Sequence, residues 1–234
     1  MQIFYSDNIN TDKIVLTADE ANHLKNVLRK SVGDKVNVVD GKGNFYEAVV
    51  AVITKSEVHL NIVRQQSSYG KKNYYLHIAI APTKNADRIE WFLEKAVEIG
   101  VDEISFLSTA RTERKQVNND RMSKLAIAAM KQSVKAYLPK VNPIEPLKQF
   151  ISKVQTNNLF IAYLAEGEEK NLLSGQLKPG KDYLILIGPE GDFSHEEIKL
   201  CLARGFKPVS LGHSRLRTET AGVYACIAAS IINC

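Results

Sequence analysis

Three cysteines among 234 residues leave little room for redox or zinc chemistry. Cys201, Cys226 and Cys234 have neither zinc-ribbon nor C-x-x-C spacing, and they fall in or near apolar helical runs, as reduced core residues do. Long apolar runs are also missing, so no transmembrane span is expected. The N-terminus lacks the basic, apolar and small-residue succession of a signal peptide, which makes the expected location cytoplasmic. Five scattered histidines form no metal-ligand pattern, and no metal is expected. The stretch APTKNAD stands where a dinucleotide fold would place GxGxxG, and no GxxxxGK[ST] occurs, so neither phosphate-cradling loop is present. No serine or cysteine sits on a nucleophile elbow. Repeats and low-complexity tracts are absent.

What the chain does have is ample core and an uneven charge. Hydrophobic residues make up 44% of it, enough for one large domain or two small ones. The formal charge is +5 and the pI about 9.0, which points towards an anionic partner. Residues 1–68 hold eight basic and eight acidic side chains, so the excess falls between Lys71 and Lys148.

Residues 1–68 read as a small β-rich module. Strands are predicted at Ile3–Tyr5, Lys13–Leu16, Val36–Val39, Phe45–Ile53 and Val58–Val63, with Gly41 and Gly43 in a hairpin turn. One helix interrupts them, opening with Thr17 and Glu20 at capping-box spacing. Many short strands around one helix predict a barrel, an architecture that often binds oligonucleotides. The polar stretch QQSSYGKKN is the best linker in the chain. From residue 73 onward strand and helix alternate, which predicts a parallel sheet with helices on both faces. ADRIEWFLEKAVEIG is an amphipathic helix ending on Gly100, and NDRMSKLAIAAMKQSVKAYL a second helix stopped by Pro139.

Two loops dominate this second region. DYLILI is a buried strand that stops at Gly188-Pro189-Glu190-Gly191-Asp192, after which Ser194 and Glu197 open a helix at capping-box spacing. KPVSLG is a short strand, and its loop to Thr218-Glu219-Thr220 leads into AGVYACIAASII. Two glycine-bearing loops at the carboxyl edge of an open sheet predict a pocket lined mainly by main chain. From pattern alone the ligand is nucleoside-like, and Glu190, Arg217 and Glu219 are its candidate charged groups.

IGPEGDFSHEE followed by LGHSRLRTETA resembles the signature of the SPOUT methyltransferases, specifically the RsmE family of 16S rRNA (uracil-N3)-methyltransferases. HLKNVLR, GDKVNVVDGKGNFYEA, KNADRIEWFLEKAVEIGVDEI, STARTERK and KQSVKAYLP resemble further segments of that family, so the likeness spans nearly the whole chain. The resemblance implies a PUA-like β-barrel at residues 1–68 and a SPOUT domain at 73–234 with a C-terminal trefoil knot. It also implies S-adenosylmethionine as methyl donor, a homodimer, and 16S rRNA within the assembled small ribosomal subunit as substrate. Asp192, Ser214, Arg215, Lys131 and Lys135 depart from the family's usual residues. Related readings are a SPOUT 2′-O-ribose methyltransferase of tRNA or rRNA, and a non-catalytic RNA-binding assembly factor.

Carried onto these motifs, the donor would lie against Leu164, Ala165, Ile187, Gly188, Pro189, Glu190, Gly191, Leu211, Gly212, Leu216, Arg217, Thr220 and Ala221. Uracil N3 must lose a proton as it attacks, and charge then spreads onto its carbonyl oxygens. A positioned base and a cation should therefore help, with Glu219 and Arg217 the nearest candidates. The plainer reading, which ranks first, is that Glu219 caps the positive end of the last helix. Arg217 could instead form an ion pair with Glu190 or Glu219. On the helix from Asn119, residues Arg121, Lys124, Lys131 and Lys135 fall in one arc, with Arg111 and Arg114 just upstream. Together with Arg29 they are the candidate RNA contacts, against the plainer reading of a solvated face.

Overall fold

The computed structural model describes residues 2–163 and 171–234. Its residues fall into two compact units, Met1–Lys71 with Ile127–Leu138, and Lys72–Ala126 with Pro139–Cys234. Among the described residues no helix is long and apolar enough to cross a membrane.

The first unit is a curled, mixed sheet of β1 (Ile3–Tyr5), β2 (Lys13–Thr17), β3 (Lys35–Val39), β4 (Phe45–Ile53) and β5 (Glu57–Gln66). The strand order is β1-β3-β4-β5-β2, a half-barrel. Register shifts at Glu47/Ala48 and Val50/Val52 bend β4 and β5 around the core. Inward positions of period two fill that core, with Phe4, Ile14, Leu16, Val38, Val50 and Leu60 among them. Helix α1 (Ala18–Asn22), continued by a π-helical turn over His23–Val27, adds Ala21 and Leu24.

The capping box expected at Thr17 does not form. Thr17 has no side-chain cap bond, and Glu20 instead accepts from the Tyr5 amide and from Lys131. A long-range cation outcompetes the local cap. The hairpin at 41–43 is as expected, and its Asp40 carboxylate accepts the Lys42 and Asn44 amides. Gly43 is required there. It has φ +98°, and a Cβ would overlap the Tyr137 ring.

The second unit is a six-stranded sheet of β6 (Leu76–Ile80), β7 (Glu103–Ser108), β8 (Lys140–Pro146), β9 (Leu159–Ala162), β10 (Tyr183–Ile187) and β11 (Lys207–Val209). The order is β11-β9-β10-β6-β7-β8, and every pairing is parallel. Strand β8 was not expected, because Pro143 and Pro146 argue against a strand. It is tolerated because β8 is an edge, where a missing N–H need not break a second ladder.

Helices α2 (Ala86–Ile99) and α7 (Thr218–Ile232) pack together, and α7 also lies against β6 and β10. Asn85 caps α2 by accepting the Asp87 amide, and Gly100 ends it in the left-handed region at φ +113°. Helices α4 (Leu147–Ser152) and α6 (His195–Ala203) share a separate core with Leu107, Leu184, Leu186 and Phe206. The Ser194–Glu197 capping box opens α6 as expected. A short helix, α5 (Leu173–Gln176), had no clear signal in the sequence.

Helix α3 (Asn119–Gln132) is shorter than the sequence predicts. Lys135 N–H bonds to Met130 O and Val134 N–H to Lys131 O, a Schellman ending with Val134 at φ +57°. A β-branched residue in that region is a poor terminator by propensity, which is why the stop could not be read locally. QQSSYGKKN is likewise less of a linker than its polarity predicts. β5 runs into it to Gln66, Tyr69 stacks on Phe45 at 4.8 Å, and Lys72 pairs with Asp102 at 2.5 Å.

Candidate functional site

Strand order in the second unit steps from β6 to β7 and β8 on one side, and to β10, β9 and β11 on the other. Loops leaving the carboxyl ends of β6 and β10 therefore diverge, which opens a crevice at that edge. A cavity of about 410 Å³ lies there. Ile187, Pro189, Val209, Leu211, Leu216 and Ala221 supply apolar walls, while Gly188 and Gly212 expose main chain.

Side chains from elsewhere in the unit hold the first loop. Thr218 Oγ1 donates to Gly188 O at 3.1 Å, and Arg111 Nη1 to Gly191 O at 2.6 Å. Glu190 accepts the Lys84 amide at 3.2 Å, and Arg114 clamps Thr83 O and Lys84 O. Asp192 turns the chain at φ +62°, its amide bonded to Pro189 O. The second loop is braced by Ser210, whose hydroxyl donates to Gly212 O and accepts the Gly212 amide. Gly212 sits at φ +120°, a conformation that a side chain rarely adopts.

Of the residues expected to hold a donor, Ile187, Gly188, Pro189, Glu190, Leu211, Gly212, Leu216, Arg217 and Ala221 line the cavity. Gly191 and Thr220 lie outside its wall. Gly191 instead meets Arg111, whose Cδ would be 3.3 Å from an added Cβ. Leu164 and Ala165 lie outside the described residues. Arg88, Ala162, Tyr163, Asp192, Val209, Ser214, Arg215 and Thr218 line it too and were not singled out. Val209 and Ala162 end buried strands. Arg88 is remote in sequence, on a helix whose pattern marks only its apolar face.

The two candidate catalytic residues differ sharply. Arg217 is exposed, precedes α7 and makes no ion pair among the described residues, so the alternative pairing with Glu190 or Glu219 does not occur. Glu219 is buried at 6% exposure in the first turn of α7. Its Oε1 lies 3.8 Å from Arg88 Nε, while Oε2 is buried without any hydrogen-bond partner.

The candidate RNA contacts are dispersed. In the second unit Arg111 and Arg114 brace loops of the cavity, Arg121 is paired with Glu90 at 2.5 Å, and Lys124 is exposed. In the first unit Lys131 pairs with Glu20, and Arg29 is exposed at φ +52°. Lys135 lies beyond the end of α3, so the single helical arc expected to include it does not exist.

At the amino ends of β6, β7 and β8 is a second cavity, of about 440 Å³. Its Glu103 accepts from Tyr75, Lys140 and Asn142 at 2.8, 3.0 and 2.6 Å, and lies 3.8 Å from His77. His77 Nε2 is 2.8 Å from Ser105 Oγ. Burial pushes the imidazole down to about 4, against the opposing pull of Glu103. The thiols of Cys201 and Cys226 are pushed up to about 12 by burial, which leaves them inert.

Comparison with known proteins adds to this geometry. Residues 70–230 match the model of an RNA methyltransferase domain, and residues 16–63 that of an RNA methyltransferase PUA domain. A relative from Borreliella burgdorferi, ribosomal RNA small subunit methyltransferase E 1, is 31% identical over 94% of this chain and 94% of its own. The corresponding protein of Rickettsia conorii is 30% identical over 91% of this chain and 87% of its own. A probable rRNA-methyltransferase from Porphyromonas gingivalis has a solved structure with 40% identity and a TM-score of 0.92, covering 100% of this chain and 98% of that one. The methyltransferase E of Neisseria gonorrhoeae, solved with S-adenosyl methionine bound, gives 26% identity and a TM-score of 0.88 at 100% and 98% coverage.

Proposed function

Because the chain belongs to the ribosomal RNA small subunit methyltransferase E (RsmE) family, we propose that it methylates N3 of one uridine in 16S rRNA, with S-adenosylmethionine as donor. The observation that carries this reading is the carboxyl-edge cavity. It is walled by main chain and aliphatic groups, with the unpaired Arg217 at its wall and the buried carboxylate of Glu219 beside it. That composition fits an adenosine with its sulfonium-bearing arm better than a phosphate, which would call for a glycine-rich anion cradle.

The donor supplies a methyl group on a sulfonium, open to direct in-line displacement. The chain's own residues do the rest. Gly188 and Gly212 let main-chain groups approach adenine and ribose, and Leu211 and Leu216 exclude water from the methyl. Glu219 accepts the N3 proton. Arg217 stabilises negative charge as it grows on a uracil carbonyl oxygen.

Residues 1–68 act as an RNA-binding PUA-like module before a methyltransferase domain at 73–234, with Arg29, Lys131 and Lys135 on the first unit as phosphate contacts. Arg111, Arg114, Arg121 and Lys124 play that part on the second. A C-terminal trefoil knot is part of this reading, carried by the family resemblance of the last strands and helix. A homodimer is supported by apolar residues left exposed on α2 and α7, namely Trp91, Ile227 and Ile231. The substrate is the assembled small subunit, in the cytoplasm.

Mass spectrometry of small-subunit rRNA from a strain lacking the gene tests this. Loss of a single 3-methyluridine is expected. Loss of a 2′-O-methylated nucleotide, or an unchanged rRNA, contradicts it.

A further inference from the structure

Among the described residues Glu219 Oε2 is the one buried side-chain oxygen or nitrogen without a hydrogen-bond partner. A carboxylate that merely capped α7 would accept a main-chain amide, and Glu219 accepts none among the described residues. Its other oxygen lies 3.8 Å from Arg88 Nε. Leaving a buried charged acceptor unsatisfied is destabilising, so such groups mark sites completed by something else.

Arg88 is oddly placed for a structural cation. It is the third residue of α2, in the first turn, where the helix's positive end disfavours it. Its side chain is 39% exposed and lines the donor cavity. One turn further along, Phe92 packs on Gly222 of α7, where an added Cβ would come within 2.5 Å of the ring. Phe92 follows Arg88 by four residues and Gly222 follows Glu219 by three, so each pair lies on one helix face. The close approach at Gly222 brings the two helix beginnings within reach of each other.

We infer that Arg88 is a positioning residue for the methyl transfer, pairing with Glu219 Oε1 from the cavity wall so that Oε2, buried behind that wall and without a partner, becomes the proton acceptor when the nucleobase binds. This rests on the proposed role of Glu219 as base. The N3–H bond breaks with its electron pair remaining on nitrogen, and the proton bonds to Oε2. The negative charge so moves from carboxylate to base, and nothing is oxidised or reduced. A carboxylate held at only one oxygen keeps its geometry while leaving the second oxygen free. Without Arg88 the side chain would lose that orientation, and misplacement of about 1 Å can slow a reaction on the order of 100-fold.

The test is a double-mutant cycle under single-turnover conditions with the full chain, S-adenosylmethionine and unmethylated small subunits. Glu219→Gln should slow methylation by roughly 100-fold or more, as loss of a general base does. Arg88→Ala should slow it on the order of 100-fold, and the double variant should be no slower than Glu219→Gln alone, because Arg88 acts only through Glu219. Arg88→Lys should recover part of the rate. The melting temperature should stay near wild type in each, and rates are compared at saturating S-adenosylmethionine because Arg88 also lines the donor cavity. If Arg88→Ala is poorly folded, Arg88→Gln carries the same comparison. A wild-type rate in a folded Arg88 variant, or multiplicative losses in the double variant, overturns the inference while leaving Glu219 as base. A wild-type rate in Glu219→Gln overturns the base assignment itself, and the role of Arg88 with it.

Discussion

Two cavities of similar size, about 410 and 440 Å³, open at opposite edges of the same parallel sheet. A carboxylate stands at each, Glu103 partly buried in the wall of one and Glu219 buried beside Arg88, which is in the wall of the other. At the amino edge Glu103 is saturated, with Tyr75, Lys140 and Asn142 donating to it and His77 beside it. Burial alone would raise the Glu103 carboxyl, but His77 and its donors outweigh that and hold it below the ordinary carboxylate range. At the carboxyl edge Glu219 has one loose cation and a bare oxygen. A satisfied buried charge stabilises the fold. An unsatisfied one weakens it, and is expected where a ligand completes the set.

That contrast can be broken by substitution. Arg217→Ala should have the largest effect. Removing one preorganised donor costs on the order of 100- to 1,000-fold in rate, about 2.7–4 kcal/mol. Single-turnover methylation at saturating donor should fall that far while the melting temperature holds. At the other edge Glu103→Ala should do the reverse. It leaves Tyr75, Lys140 and Asn142 without their shared acceptor and should cost about 1–2 kcal/mol in urea unfolding, with the rate per folded molecule intact. Glu219→Gln sharpens the difference, since neutralising an unsatisfied buried charge should leave stability unchanged or slightly raised.

A pH dependence follows from His77. Folded, the imidazole titrates near 4; unfolded, near its ordinary 6.5. As pH falls from 6.5 to 4 the unfolded chain takes up the proton first, so the fold loses up to about 3 kcal/mol across that window. Glu103 adds its own loss lower, as pH falls through its depressed value. Urea midpoints measured across pH 4–7 should slope in wild type and flatten in His77→Gln. The smallest effect concerns RNA. Lys124→Glu should weaken binding and flatten its salt dependence by about one unit, whereas an unchanged slope would make Lys124 a solvating residue.

How much of this was legible depended on how local the cause was. The Ser194–Glu197 box and the Gly100 terminator lie within a few residues of what they fix, and both could be read directly. The Thr17–Glu20 box had the same spacing and failed, because Lys131, over a hundred positions away, takes the carboxylate. β8 was hidden by its prolines, which only an edge position excuses. The loops at 188–192 and 211–217 announced themselves by glycine and by motif, and most of their residues line the cavity. Arg88 did not. Its partner and its cavity are both supplied by tertiary contact, and its helix pattern records only the face turned to the core.

The most direct test of the central claim is methyl transfer in vitro. Purified protein, S-adenosylmethionine and small subunits from the strain lacking the gene are incubated together, and the rRNA is digested to nucleosides for mass spectrometry. One 3-methyluridine per subunit is expected, absent with Arg217→Ala on the same timescale. A methyl group on ribose, or none at all from a folded, donor-binding protein, would contradict the account.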